Sequence, residues 1–183
     1  MIMPHAGQPE SVNPPMPGPV VARTMVLTMQ LERIAKLVST TPILGGLSEA
    51  HRERLVQCAE DVRFPAGQYL ARNGHPADRF FILHTGSVKL ELEPEAGGSI
   101  GIETFAPPEV VGWSWLLPPY HWHFDVRALD DVHAIAVDGA TLRVWMDDDP
   151  AFGYAILRPF AGVMVSRLQA TRLRLLGGRS LDR

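Results

Sequence analysis

The sequence holds a single cysteine, Cys58, among 183 residues. One thiol excludes an internal disulfide and any four-cysteine zinc or iron–sulfur site. No run approaches the ~20 apolar residues needed to cross a bilayer. The N-terminus lacks the basic and apolar regions of a secretory signal, so the expected location is the cytoplasm. A surplus of basic charge is also missing: the formal net charge is -3, which argues against a dedicated nucleic-acid binder. Neither a Gly-X-Ser-X-Gly elbow nor a glycine-rich loop ending in Lys-Ser or Lys-Thr occurs. No catalytic arrangement is legible, and the chain is expected not to be an enzyme.

What is present suits one globular domain, with 46% hydrophobic residues and enough length to bury about two-thirds of its unfolded surface. Residues 1–22 read as a disordered arm, with prolines at 4, 9, 14, 15, 17 and 19. A single domain over 23–183 follows. Val26, Met29, Ile34, Leu37 and Val38 predict an amphipathic helix over Arg23–Val38. Ser48 predicts the N-cap of a second helix reaching Glu60.

From about 61 to 138 the period changes. Short apolar runs at 62–64, 68–71, 80–84, 87–92, 100–105, 124–128 and 132–137 alternate with turn residues such as Asn73-Gly74, Thr85-Gly86 and Gly97-Gly98. Many short strands at close spacing predict an antiparallel sheet pair. In Val88–Glu93 the alternation predicts Leu90 and Leu92 inward, with Lys89, Glu91 and Glu93 wetted. A short helix over Thr141–Met146 precedes a long one over about 150–176, opened by acids and Pro150. Its stripe is Ile156, Phe160, Met164, Leu168, Thr171 and Leu175, and Pro159 is expected to kink or split it. The fold class is thus α+β, mainly β: an antiparallel, jelly-roll-like β-roll with N-terminal helices and a long C-terminal helix. The stripe suits either packing on a second copy, the favoured reading, or cover for its own β-roll. A homodimer through this helix is expected.

Phe64-Pro65-Ala66-Gly67-Gln68-Tyr69-Leu70, Asn73-Gly74-His75-Pro76-Ala77-Asp78-Arg79-Phe80-Phe81-Ile82-Leu83 and Gly86-Ser87-Val88 together resemble the first half of a cyclic-nucleotide-binding domain. The catabolite activator protein and the regulatory domains of cyclic-nucleotide-dependent kinases and channels share that pattern. The resemblance spans roughly Leu44 to Leu176 and implies a sensor of cAMP, cGMP or another small ligand, signalling to a protein partner. In that family a phosphate-binding cassette pairs a glycine with a glutamate for the ribose, and an arginine follows for the cyclic phosphate. Gly112 matches the glycine and Leu116-Leu117 the apolar positions, but Trp113 stands at the glutamate and Trp122 or a neighbour at the arginine. Cyclic-nucleotide binding in the family's usual way is therefore not expected. Thr171 matches a position that contacts the base in some bacterial members. Many of those carry a helix-turn-helix after the long helix. Here the sequence ends at Arg183, so direct DNA binding is not expected.

The segment from Gly112 to Phe124 contains three of the four tryptophans. Aromatics this dense either pack a local core or line a cavity. Gly112, Trp113, Ser114, Trp115, Leu116, His121, Trp122, His123 and Thr171 are the expected ligand-binding residues. On a strand His121 and His123 would face one side, the geometry of a cupin-like metalloprotein. No third ligand is well spaced, however, so no metal is expected. A degenerate β-roll acting as an interaction or assembly module is the second reading.

Overall fold

The computed structural model describes residues 19–94 and 97–178. Helix α1 (Pro19–Thr40) leads through a 3-10 turn (Pro42–Leu44) to α2 (Glu49–Gln57). The strands are β1 (Ala59–Phe64), β2 (Tyr69–Ala71), β3 (Arg79–Thr85), β4 (Val88–Leu92), β5 (Ile100–Phe105), β6 (Val110–Val111), β7 (Asp125–Ala128) and β8 (Val132–Asp138). Helices α3 (Gly139–Asp148) and α4 (Pro150–Gly178) close the chain. Two four-stranded antiparallel sheets, β1-β8-β3-β6 and β2-β7-β4-β5, form the β-roll.

Helices α2, α3 and α4 each start where a side chain can take an orphan backbone N–H. Ser48 accepts from His51 N at 3.2 Å, Asp138 from Thr141 N at 2.8 Å, and Asp149 from Phe152 N at 3.1 Å. The backbone N–H of Phe152 and the Arg54 guanidinium, 2.7 Å away, hold the Asp149 carboxyl below its usual range. The core runs from Ile34 and Val38 through Phe80, Phe81, Ile135 and Val137 to Phe152, Ile156 and Phe160. Gly86 is tied to its turn from two sides: φ is +78°, and a Cβ would lie 2.6 Å from both Asp130 Oδ1 and Asp131 O.

Several expectations need correction. Helix α1 begins at Pro19, so the last four residues of the expected arm are helical, and residues 1–18 lie outside the described residues. Met29 is exposed, while Ile34 and Val38 form the buried stripe. Helix α2 stops at Gln57, because β1 already pairs with β8 from Ala59. Val110–Val111 forms a two-residue strand against Phe81 and Ile82, too short to show periodicity. Pro159 sits inside an unbroken helix.

Glu91, expected in water, is fully buried. The β4–β7 register is unbroken through Glu91 and the extra residue of the β4–β5 pair is Ile102 on β5, so Glu91 keeps its face and is covered there by its partners. Arg127 approaches one carboxylate oxygen at 2.8 Å and donates to the other at 3.1 Å. Ser99 Oγ adds a 2.8 Å bond and Lys89 lies 3.6 Å away.

The α4 stripe divides in two. Ile156 and Phe160 are buried and Met164 is half-buried, whereas Leu168, Thr171 and Leu175 are exposed. The first half covers the chain's own β-roll. The second half, with Leu173 and Leu176 also exposed, leaves its apolar side chains in solvent.

Candidate ligand site

Between the two sheets' ends and α4 lies a cavity of about 110 Å³, lined by Leu90, Phe105, Val111, Gly112, Trp113, Ser114, Trp122, His123, Phe124 and Arg167. Strand β4 supplies Leu90, the end of β5 Phe105 and the end of β6 Val111. The loop from Gly112 to Phe124 supplies the next wall. It is held down by backbone pairing with the turn before β3: Gly74 N donates to Trp122 O at 2.7 Å, Trp122 N to His75 O at 2.9 Å, and Ala77 N to Tyr120 O at 2.7 Å.

That pairing drives the Trp122 indole inward, where it is 6% exposed. Its ring lies against Gly112. A Cβ on Gly112 would meet Trp122 Cη2 at 2.4 Å, and φ there is +97°. Glycine is thus required twice, by backbone conformation and by the indole packed on it.

Arg167 closes the cavity from α4. Its guanidinium lies 4.2 Å from the Phe105 ring centre and 4.8 Å from that of Trp113, and donates to Val110 O at 3.1 Å. Burial holds it below the usual arginine range, against the opposing pull of Glu103 and Glu109. Among the described residues no carboxylate lies within ion-pair distance of it. Glu103 is taken by Arg174 at 3.1 Å.

Of the nine expected ligand-binding residues, Gly112, Trp113, Ser114, Trp122 and His123 meet around this cavity. Trp115 and Leu116 turn the other way. Trp115 is fully buried, stacked on Phe80 at 5.2 Å and edge-on to Phe160 at 5.4 Å, and Leu116 is in the core. His121 is exposed and its Nδ1 pairs with Pro119 O at 2.7 Å. Thr171 is exposed on α4, off the cavity lining.

His123 Nδ1 is 3.5 Å from Ser114 Oγ. The two histidines sit in a loop rather than on a strand, so the same-side geometry of a metal pair does not arise. Among the described residues no group of three His, Cys, Asp or Glu could hold a metal, and nothing supports a cupin.

Leu90, Phe105, Val111, Phe124 and Arg167 line the cavity but were not expected as site residues. Arg167 was legible only as a residue flanking the α4 stripe. Its position three residues after half-buried Met164 is the signal that it borders the core.

Comparison with known proteins gives a consistent picture. Residues 61–149 match the family model of the cyclic nucleotide-binding domain. A CRP-like cAMP-activated global transcriptional regulator of Mycobacterium tuberculosis is 24% identical over 140 residues, 76% of this chain and 61% of that protein. The chain thus spans about three-fifths of the length of that curated relative. Among solved structures, a cyclic nucleotide-binding domain from Methylobacillus flagellatus superposes with a TM-score of 0.68 at 17% identity, covering 84% of this chain and 85% of that one. The regulatory subunit of a cAMP-independent protein kinase A from Trypanosoma brucei superposes at 0.61 with 19% identity, covering 79% of this chain and 49% of that one. Among the described residues no helix is long and apolar enough to cross a membrane.

Proposed function

Since residues 61–149 form a cyclic nucleotide-binding domain of the CRP-like type, we propose that the chain is a non-enzymatic, ligand-sensing regulatory module that does not hold cAMP in the family's usual way. Its ligand site is the cavity between Gly112–Phe124 and Arg167. One observation carries the reading: the cavity measures about 110 Å³ and is walled by two indoles, against the ~300–1,000 Å³ of sites that enclose drug-sized ligands. Trp113 stands where the resemblance places the ribose-binding glutamate, so that contact is lost. Each lost hydrogen bond to a charged group weakens binding by about 1.5–3 kcal/mol. The regulatory subunit of a cAMP-independent protein kinase A from Trypanosoma brucei has a similar fold, which supports regulation on this fold without that nucleotide.

Output passes to a second copy or a separate protein through the exposed apolar end of α4, where Leu168, Leu173, Leu175 and Leu176 stand in solvent. The same face supports the second reading, an assembly module with no small ligand. Calorimetric titration with cAMP and cGMP, with tryptophan fluorescence followed in parallel, tests the first. The expected result is no saturable heat below millimolar nucleotide. Micromolar binding with quenching would overturn the claim that the usual mode is lost.

A further inference from the structure

We propose, resting on the reading of this cavity as a ligand site, that it takes a planar single-ring anion, an aromatic carboxylate in class, and that Arg167 of α4 pairs with its charge. The walls set the shape. Leu90, Phe105, Val111, Trp113, Trp122 and Phe124 enclose about 110 Å³. A closed apolar cavity of ~150 Å³ holds a benzene ring; here the space is smaller but only partly enclosed. A purine with its ribose and phosphate exceeds it several-fold.

The charge is set by Arg167. Its guanidinium is half-buried, lies over Phe105 and Trp113, and makes one hydrogen bond, to Val110 O. Withdrawing a cation from water without a counter-ion is unfavourable, and the desolvation that depresses Arg167 reflects that cost. Of the two carboxylates whose field reaches it, Glu103 is paired to Arg174 and Glu109 accepts from the Ala106 backbone N–H, and neither comes within ion-pair distance of Arg167. A guanidinium presents a planar fork that matches a carboxylate edge-on. A ring seated among the aromatics with its carboxylate toward Arg167 would supply the missing charge in the fork's plane. Ser114 and His123 are the other polar lining groups.

The test uses the full chain with benzoate and its neutral isostere benzamide, followed by tryptophan fluorescence and calorimetry. Benzoate is expected to bind saturably and about tenfold or more tighter than benzamide, the ratio a charge-assisted hydrogen bond supplies. Arg167→Gln should remove that preference, bringing benzoate and benzamide to equal affinity. Arg167→Lys, which keeps the charge but not the fork, should retain part of it, with near-UV circular dichroism verifying the fold of both variants. Equal affinity for the two compounds, or an unaltered preference in Arg167→Gln, overturns the role of Arg167 while the cavity remains a ligand site. Tighter binding of cAMP than of benzoate overturns the single-ring class. Failure of either ring to bind up to its solubility overturns both the inference and the ligand-site reading beneath it.

Discussion

Replacing Gly112 by alanine is the sharpest perturbation of the packing that shapes the cavity. The added methyl would meet the Trp122 ring at 2.4 Å, on a backbone with φ of +97°. Holding a non-glycine residue in such a conformation costs about 1–3 kcal/mol. Overpacking a close contact costs about 1–3 kcal/mol more. The sum, about 2–6 kcal/mol, is a large part of the ~5–15 kcal/mol that stabilises a domain of this size. Trp122 cannot easily retreat, because its backbone is pinned to Gly74 and His75. Urea unfolding of the wild type, Gly112→Ala, Trp122→Leu and the double variant reads the two parts separately. In the Trp122→Leu background the overpacking part disappears and about 1–3 kcal/mol of backbone strain remains. A Gly112→Ala cost below about 1 kcal/mol, or equal costs in both backgrounds, would refute the contact as the reason for glycine here.

Other sites give independent checks. Burial alone would raise the Glu91 carboxyl, but Ser99, Arg127 and Lys89 outweigh it and hold the group below its usual range. Its contribution to stability is therefore full above the unfolded value of about 4.3 and fades as pH falls through the lower folded value. Glu91→Gln should cost about 1.5–3 kcal/mol near neutral pH, with the gap to wild type closing in acid; a gap that stays constant to pH ~3 would contradict the ion-pair account. Burial and the neighbouring Asp138 push the Cys58 thiol up to about 12, so a thiol reagent at mildly alkaline pH should label it only after unfolding. Rapid stoichiometric labelling of the native protein would sink that expectation. Sedimentation should give a dimer for the wild type and a monomer for Leu168→Glu with Leu175→Glu; an unshifted mass would remove the α4 face as the contact.

Turn chemistry made most of the β-roll legible. Gly67, Gly74 and Gly86 all adopt positive φ, and the apolar runs that follow them became β2, β3 and β4 with boundaries shifted by a residue or two. Three things were hidden for physical reasons. Val110–Val111 is too short to carry a period. Glu91 stays on the face its alternation assigns, and it is buried because Lys89, Arg127 and Ser99 gather over it, a cluster that needs β7 and the turn before β5. The Gly112–Phe124 aromatics divide between core and cavity according to long-range pairing: Trp122 goes inward to the cavity because Gly74 and His75 grip its backbone, and Trp115 joins Phe80 and Phe160. Sequence spacing holds no trace of either partner. Arg167 was hidden for a different reason, since an arginine beside an apolar stripe reads as solvated until the ring beneath it is seen.

The division of α4 gives the cavity a mechanical consequence. Phe152, Ile156 and Phe160 fix the first turns to the core, while from Val165 onward the large apolar side chains are exposed. Arg167 sits at that boundary, and its contacts to Phe105, Trp113 and Val110 O are prominent ties between the second half of the helix and the β-roll. Each partly exposed cation–π contact is worth about 0.5–1 kcal/mol and the hydrogen bond about 1.5–3 kcal/mol. The total, about 2.5–5 kcal/mol, is comparable to the binding free energy of a ligand with a millimolar Kd, about 4 kcal/mol. An anion that pairs with the guanidinium thus competes with the same ties that dock the distal helix. Arg174, bonded to Ile102 O and Glu103 on the exposed edge strand β5, holds the last turns only through surface contacts that contribute little. A ligand that re-aims Arg167 therefore acts on a helix half whose remaining attachment is weak and whose apolar face is already in solvent. That arrangement can turn a single-ring ligand into a change that a partner reads, provided the ligand favours one helix position over the other by a comparable few kcal/mol.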